Sequence, residues 1–185
     1  MNRFHRWLCR SSFWRRGLEK HILPWALEGV PLGDSVLEIG PGPGMATDLL
    51  LRRVPRLVAV EFDASLAAAL HARTREITLQ VVCGDGAMLP FPDGIFSGVV
   101  CFTMLHHVPS MEAQDRLLRE ARRVLQPGGL FAGTDSRHSG ALAWMHHHDT
   151  YVPVDPGDFP ARLKRAGFAY AQVDTQPRVF RFQAR

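Results

Sequence analysis

The chain has 185 residues, 46% hydrophobic and 22% charged, with 16 glycines and 13 prolines. That suits one domain with a full apolar core and leaves two domains cramped. Residues 1–20 carry six basic groups (Arg3, Arg6, Arg10, Arg15, Arg16, Lys20) against Glu19, whereas the remainder holds 16 basic and 17 acidic groups. The formal charge of +4 therefore belongs to an N-terminal segment, and the body lacks the clustered Lys/Arg of a nucleic-acid-binding face.

No apolar run approaches the roughly 18 residues of a membrane span, and no signal or lipidation motif is evident. Cys9, Cys83 and Cys101 form no CxxC pair. They are expected to be reduced and structural, with a cytoplasmic location as the default.

In chain order, Ser35–Ile39 is a strand candidate that ends in Gly40-Pro41-Gly42-Pro43-Gly44. A helix over about Met45–Arg53 follows, then a strand over Leu57–Glu61. Ala64–Thr74 places Leu66, Ala69, Leu70 and Arg73 at helical spacing, with Asp63 as its N-cap. Strands are expected at Thr78–Cys83 and Phe96–Phe102. Met111–Leu125 is the clearest helix, because Leu117, Leu118, Ala121, Val124 and Leu125 share a face, and Pro127-Gly128-Gly129 stops it. A fifth strand at Leu130–Thr134, a short helix at Asp158–Ala166 and late strands at Phe168–Val173 and Val179–Gln183 complete the series.

Apolar strands alternating with helices predict an α/β fold: a doubly wound, mostly parallel sheet covered on both faces. Only Asp174–Arg178 separate the last two strands, too few for a crossover helix, so they are expected to form an antiparallel hairpin. In such sheets ligands bind beyond the carboxyl ends of the strands, near the switch point.

Those ends carry the informative residues. The first bears Glu38 and the glycine series, where a missing Cβ lets the backbone approach a ligand. A nicotinamide fingerprint would need glycine where Met45 and Thr47 stand. The second strand ends in Glu61, suited to a ribose diol, and the third is followed by Gly84-Asp85-Gly86.

The stretch from Val36 to about Thr134 resembles class I S-adenosylmethionine-dependent methyltransferases of the small-molecule, type 11-like group. Val36-Leu37-Glu38-Ile39-Gly40-Pro41-Gly42-Pro43-Gly44 is similar to their first motif, and Glu61-Phe62-Asp63 to their acidic second-strand end. Gly84-Asp85-Gly86-Ala87-Met88-Leu89-Pro90-Phe91 and Glu120-Ala121-Arg122-Arg123-Val124-Leu125-Gln126-Pro127-Gly128-Gly129 resemble two further segments. The resemblance implies a Rossmann-like sheet of seven strands with an antiparallel C-terminal hairpin strand.

It also implies S-adenosyl-L-methionine as cofactor. Gly40, Pro41 and Gly42 would pass beneath it, with Glu38 near its amino-acid end and Glu61 on the ribose hydroxyls. Phe62 would lie against the adenine, Asp85 would accept from the adenine amine, and Gly86 and Ala87 would line the ring. The backbone near Phe102 and Thr103 would face the methionine portion.

The protein must align the acceptor with the transferable methyl group and exclude water. His106 and His107 fall where related small-molecule enzymes bring side chains to that group, and are the candidate catalytic residues; imidazole suits proton removal near neutral pH. The alternative for the pair is shaping the pocket or capping a helix. A small-molecule, hydrophobic or lipid-like acceptor is expected and nucleic acid is not. The first two motifs also resemble ribosomal-RNA dimethyladenosine enzymes, but the Asn-Leu-Pro-Tyr type of element they carry after the fourth strand is missing from Phe102-Thr103-Met104-Leu105. A cofactor-binding protein without catalysis is a further alternative.

No metal site is expected. Adjacent imidazoles in His146-His147-His148-Asp149 do not easily face one ion, and no spaced partner motif accompanies them. Ser136–Phe159, with Trp144, Tyr151 and Phe159, is expected to form one wall of the acceptor pocket.

The domain proper is placed at residues 31–185 and a basic, aromatic helical arm at 1–30. In the arm, Phe4, Trp7, Leu8, Trp14, Leu18, Ile22 and Trp25 recur near helical spacing, with Pro24 expected to limit the second of two short helices. The arm reads as an active-site lid, as a peripheral membrane contact through residues 1–25, or as a helix packed on the sheet.

Overall fold

The computed structural model describes residues 16–74, 79–147 and 149–185. Its centre is a seven-stranded sheet in the order β3-β2-β1-β4-β5-β7-β6. The strands are β1 (Ser35–Ile39), β2 (Arg56–Glu61), β3 (Leu79–Cys83), β4 (Phe96–Phe102), β5 (Leu125–Ser136), β6 (Ala171–Thr175) and β7 (Val179–Ala184). β1 through β5 pair in parallel, and β7 runs antiparallel to both β5 and β6. The chain order reverses between β1 and β4, which makes their carboxyl ends the switch point.

The helices are α1 (Leu23–Ala26), α2 (Met45–Leu50), α3 (Ala64–Arg73), α4 (Met111–Val124), α5 (Gly140–Met145) and α6 (Phe159–Arg165). Leu37, Ile39, Val99, Cys101 and Phe131 project to one face of the sheet, where Leu117, Leu118, Ala121 and Val124 of α4 and Phe159 and Leu163 of α6 cover them. Val36, Leu57, Ala59, Val100 and Phe102 project to the other, under Leu50 of α2, Leu70 of α3 and the N-terminal helix. Both faces are dry, which is why β1, β2 and β4 read as continuous apolar runs.

Caps define the helix starts. The Asp63 carboxylate accepts from the amides of Ser65 and Leu66 at the head of α3, as expected. Ser110 Oγ accepts from Ala113 N at 3.1 Å at the head of α4.

Three local expectations need correction. Pro24 does not end the N-terminal helix, because a π-helical turn over Leu18–Ile22 runs directly into α1 with Pro24 in its first turn. A proline there gives up one amide hydrogen bond to the preceding turn, and the π-helical turn just before it is where the regular ladder is already interrupted. β5 begins at Leu125 rather than Leu130: Leu125 leaves α4 extended and pairs with Phe96, and after a register shift Leu130 pairs with Gly98. Gln126–Gly129 are thus a bulge within the strand. Finally, β6 starts at Ala171, not Phe168, because the Phe168 side chain turns into the core against Phe131.

Part of the arm is core. Leu18, Leu23 and Ala26 are buried in the same cluster as Val36 and Leu57, and Arg181 of β7 stacks on Trp25 at 5.0 Å while donating to its carbonyl. Arg3, Arg6, Arg10, Phe4, Trp7, Leu8, Cys9, Trp14 and Arg15 lie outside the described residues. Cys101 is fully buried, whereas Cys83 is exposed and therefore not a core thiol. Among the described residues no helix is long and apolar enough to cross a membrane.

Ser110 does not line the cavity described below. Ser110→Ala should therefore cost about 1 kcal/mol by loss of the cap, measured by urea unfolding, while leaving ligand binding by the cavity unchanged.

Candidate functional site

The carboxyl ends of β1–β5 open into one cavity of about 1410 Å³. Single-ligand pockets usually span about 300–1,000 Å³, so this one has room for two molecules side by side. All thirteen residues selected from the sequence line it: Glu38, Gly40, Pro41, Gly42, Glu61, Phe62, Asp85, Gly86, Ala87, Phe102, Thr103, His106 and His107.

Glu38 closes the floor. It is 1% exposed, and Thr47 Oγ1 donates to its carboxylate at 2.7 Å. Burial pushes the carboxyl up to about 7, against the opposing pull of the Thr47 hydrogen bond.

Glu61 ends β2. One of its oxygens accepts from Gly42 N at 2.8 Å and the other from Asp63 N at 2.9 Å. A carboxylate offers about four acceptor directions, so both oxygens can still take a hydroxyl from the cavity side. Gly42 has φ +55°, and a Cβ there would enter open space. The loop is anchored from below: Arg73 in the last turn of α3 donates to the carbonyl of Gly44 at 3.2 Å and to Asp48 at 2.6 Å.

Asp85 folds its own turn, accepting from Ala87 N at 2.8 Å. The segment after it is held by α4. The Arg123 guanidinium is paired with Glu120 and donates to the carbonyls of Leu89 and Phe91, while Glu120 accepts from Leu89 N. That network gives the Glu120…Arg123 pattern its physical reason. Phe62 is 78% exposed, a flat apolar face in the cavity wall.

Beyond β4 the chain makes a sharp change of direction. Thr103 adopts φ +49° and donates its amide to Thr134 O at 2.8 Å. For a β-branched residue this is a strained conformation, and it turns the next residues along the cavity into a 3₁₀ turn over Leu105–His107.

His106 is buried and its Nδ1 is paired with Asp135, whose other oxygen accepts from His106 N at 3.0 Å. Burial lowers the affinity of the ring for a proton, but the charge and hydrogen bond of Asp135 outweigh it, and the net shift is upward. His107 is half-buried beside it. The rings of His106, His107 and His146 come together with centroids 4.3–5.1 Å apart, and Tyr151 stacks on His146 at 4.8 Å. Burial lowers the proton affinity of His146.

Two features escaped the sequence. Asp135 is fully buried, and its signal was an acid at the end of an apolar strand, one residue beyond the expected boundary of β5. His146 meets His106 only because α5, an unpredicted helix, carries it back across the cavity. The segment after β5 does line the cavity through Arg137, His138, Leu142, Met145 and His146. Trp144 is exposed, Phe159 lies in the core and Tyr151 stacks on His146 without lining the cavity, so none of the three forms that wall.

Residues 37–133 match the family model for the methyltransferase domain. The chain belongs to that family. A probable S-adenosylmethionine-dependent methyltransferase of Mycolicibacterium smegmatis is 34% identical over 124 residues, 67% of this chain and 46% of the relative. A demethylmenaquinone methyltransferase of Mycobacterium marinum is 34% identical over 66% of this chain and 47% of the relative. Ribosomal RNA small subunit methyltransferases A also match. The chain spans about half the length or less of these curated relatives.

A solved S-adenosylmethionine-dependent methyltransferase from Aquifex aeolicus superposes with a TM-score of 0.78 at 16% identity, covering 100% of this chain and 98% of that one. That likeness shows the fold. The cofactor of this methyltransferase domain is S-adenosylmethionine, and the residues present suit it. The open space at Gly42 leaves room for it against the backbone, and the floor holds a buried carboxylate for an ammonium group.

In the unfolded chain the Glu38 carboxyl ionises near 4.5, and in the folded, unliganded domain near 7. Between these values the folded state holds the extra proton, so stability falls as pH rises from about 4.5 to about 7. The loss is on the order of 3 kcal/mol and is complete above that window. Glu38→Gln should consequently stabilise the unliganded domain at pH 8 by about 1–3 kcal/mol and bring little gain at pH 4.5, read by urea unfolding at the two pH values.

Proposed function

We propose that the protein transfers the methyl group of S-adenosylmethionine to a small, largely apolar molecule. The observation that carries this reading is the division of one cavity. Glu38, Glu61 and Asp85 stand at the ends of β1, β2 and β3, while His106 and His107 stand beyond β4, on the side bordered by Leu142, Met145 and Val108. The first group suits a molecule with an ammonium, a diol and an aromatic amine; the second suits an acceptor.

In this reading the cofactor supplies an electrophilic methyl on a sulfonium centre. Glu38 takes its ammonium group, Glu61 accepts from the two ribose hydroxyls, and Phe62 covers one face of the adenine. Asp85 accepts from the exocyclic amine beside Gly86 and Ala87. Gly40, Pro41 and Gly42 form the bed, and the strained backbone at Thr103, with Phe102, directs the methionine portion toward the acceptor. His106, held by Asp135, and His107 meet the nucleophilic atom of the acceptor. Leu18 and Ile22 of the N-terminal helix line one rim, and with Leu18, Leu23 and Ala26 in the core the described part of the arm fits a helix packed on the sheet that forms a fixed wall of the cavity. Apolar side chains around the rim exclude water from the sulfonium.

The demethylmenaquinone relative supports an apolar acceptor. The RNA reading has less to stand on, since the strand end after β4 reads Phe102-Thr103-Met104-Leu105 and the net charge of the body is close to zero.

Calorimetry with S-adenosylhomocysteine tests the cofactor half. Glu61→Ala should weaken binding by at least tenfold and Asp85→Ala by about five- to thirtyfold, from the loss of charge-assisted hydrogen bonds; unchanged affinity in both would overturn the assignment. A product-coupled screen over phenols, quinols, amines and lipids tests transfer. With a substrate in hand, His107→Asn should lower turnover by about 10²-fold through loss of acceptor alignment while leaving S-adenosylhomocysteine affinity intact. Cofactor binding with no transfer to any acceptor would favour a non-catalytic binding protein.

A further inference from the structure

We propose that His106, His107 and His146 bind one divalent transition-metal ion of the zinc type, on the acceptor side of the cavity. This deepens the acceptor-side reading above, with the imidazoles reaching the acceptor through the ion in place of direct contact, and rests on that reading for its purpose, though not for its chemistry.

One ligand nitrogen from each of the three side chains can be chosen so that all lie within 4.8 Å of one another. A tetrahedral ion with bonds of about 2.0–2.1 Å needs its nitrogens about 3.4 Å apart. Binding would draw the nitrogens together by up to about 1.4 Å, the difference between the two separations. All three side chains line the cavity, so the ion would lie at its wall rather than in the core.

The second observation is the orientation of two of the rings. Metal-binding imidazoles as a rule tie their remaining nitrogen to a carboxylate or a backbone carbonyl, which selects the tautomer and aims the lone pair. His106 has Nδ1 on the Asp135 carboxylate. His146 has Nδ1 on the carbonyl of Leu142 at 2.7 Å, and a carbonyl only accepts, so the proton sits on Nδ1 and Nε2 carries the lone pair. Two rings from different elements are thus set in the same way, Nδ1 anchored and Nε2 left as the donor atom.

Asp149 lines the same cavity and its amide donates to the carbonyl of His146 at 2.8 Å, which places a carboxylate beside the rings. That negative charge favours a cation among the rings. Three imidazole nitrogens suit zinc, cobalt or nickel rather than magnesium or calcium, which prefer oxygen.

Three protein ligands leave one position open on a tetrahedral ion. An acceptor oxygen or a water from the cavity would complete the shell. The spacing of His106, His107 and His146 gives no hint of this, because forty residues and three elements separate the two contributions.

The test uses the full, tag-free chain stripped with a chelator. Equilibrium dialysis against Zn²⁺ should give one ion per chain, and Co²⁺ should give the intense visible absorption of a tetrahedral site. His107→Gln and His146→Gln should each lower Zn²⁺ affinity at least tenfold, and Asp135→Asn by about 10–100-fold. His147→Gln, a neighbour outside the trio, should leave affinity unchanged. The proposal fails if the wild-type chain takes up no stoichiometric ion. It fails equally if both glutamine variants bind as the wild type does, or if His147→Gln loses as much affinity as they do. S-adenosylhomocysteine calorimetry on the same metal-free protein keeps the two readings separate: binding there with no Zn²⁺ uptake removes only the ion, and Zn²⁺ uptake without it removes only the cofactor assignment.

Discussion

The parallel pairing of β1 between β2 and β4 is the constraint from which the rest follows. Parallel strands end on the same edge, so every side chain at a strand terminus is delivered to one place. Because both faces of these strands are dry, the termini are the first positions where a charged group can meet anything other than hydrocarbon. Glu38 sits one residue too deep for that comfort, and its carboxyl is pushed up to about 7 as a result. The fold tolerates a group that costs stability when empty, and the cationic end of a ligand would offset that cost.

Strand ends alone do not make a cavity; the loops that leave them must be held open. Three ionic side chains do this, each from a different element. Arg73 holds the glycine loop from α3, Arg123 holds the segment after Asp85 from α4, and Asp135 holds the turn that carries His106 from β5. Each bonds backbone as well as side chain, so each fixes a main-chain path and not merely a charge. Truncating any of them would leave buried or half-buried polar groups without partners. The recurrent acid-and-arginine pattern in α4 is therefore a support for the cavity wall rather than a surface ornament.

Much of this was legible from the residues. The carboxyl ends of β1, β2 and β3 could be located to within a residue because their apolar runs stop at Ile39, Glu61 and Cys83. β1 and β2, buried on both faces, leave no ambiguity of that kind. Boundaries failed where backbone pairing rather than side-chain pattern decides them. Leu125 pairs with Phe96 across a bulge that proline and glycine disguise as a loop, and Pro24 passes through a helix that a π-helical turn prepares for it. The apolar stripe of the N-terminal helix suggested a cover but not its target, and Leu18, Leu23 and Ala26 turn out to complete the core.

The uneven charge of the chain took on meaning by the same route. The excess lies in residues 1–20, ahead of the strand-end motifs in the sequence, so the basicity belongs to that segment and not to the residues that follow it. By itself the sequence determined the sheet, its direction and the residues at its ends, because period and burial are written locally in the order of apolar side chains. Tertiary structure alone decided the pairing of Asp135 with His106 and the approach of His146 to both. Those contacts join β5, the turn after β4 and α5, and no local pattern encodes how three such elements meet across a shared cavity.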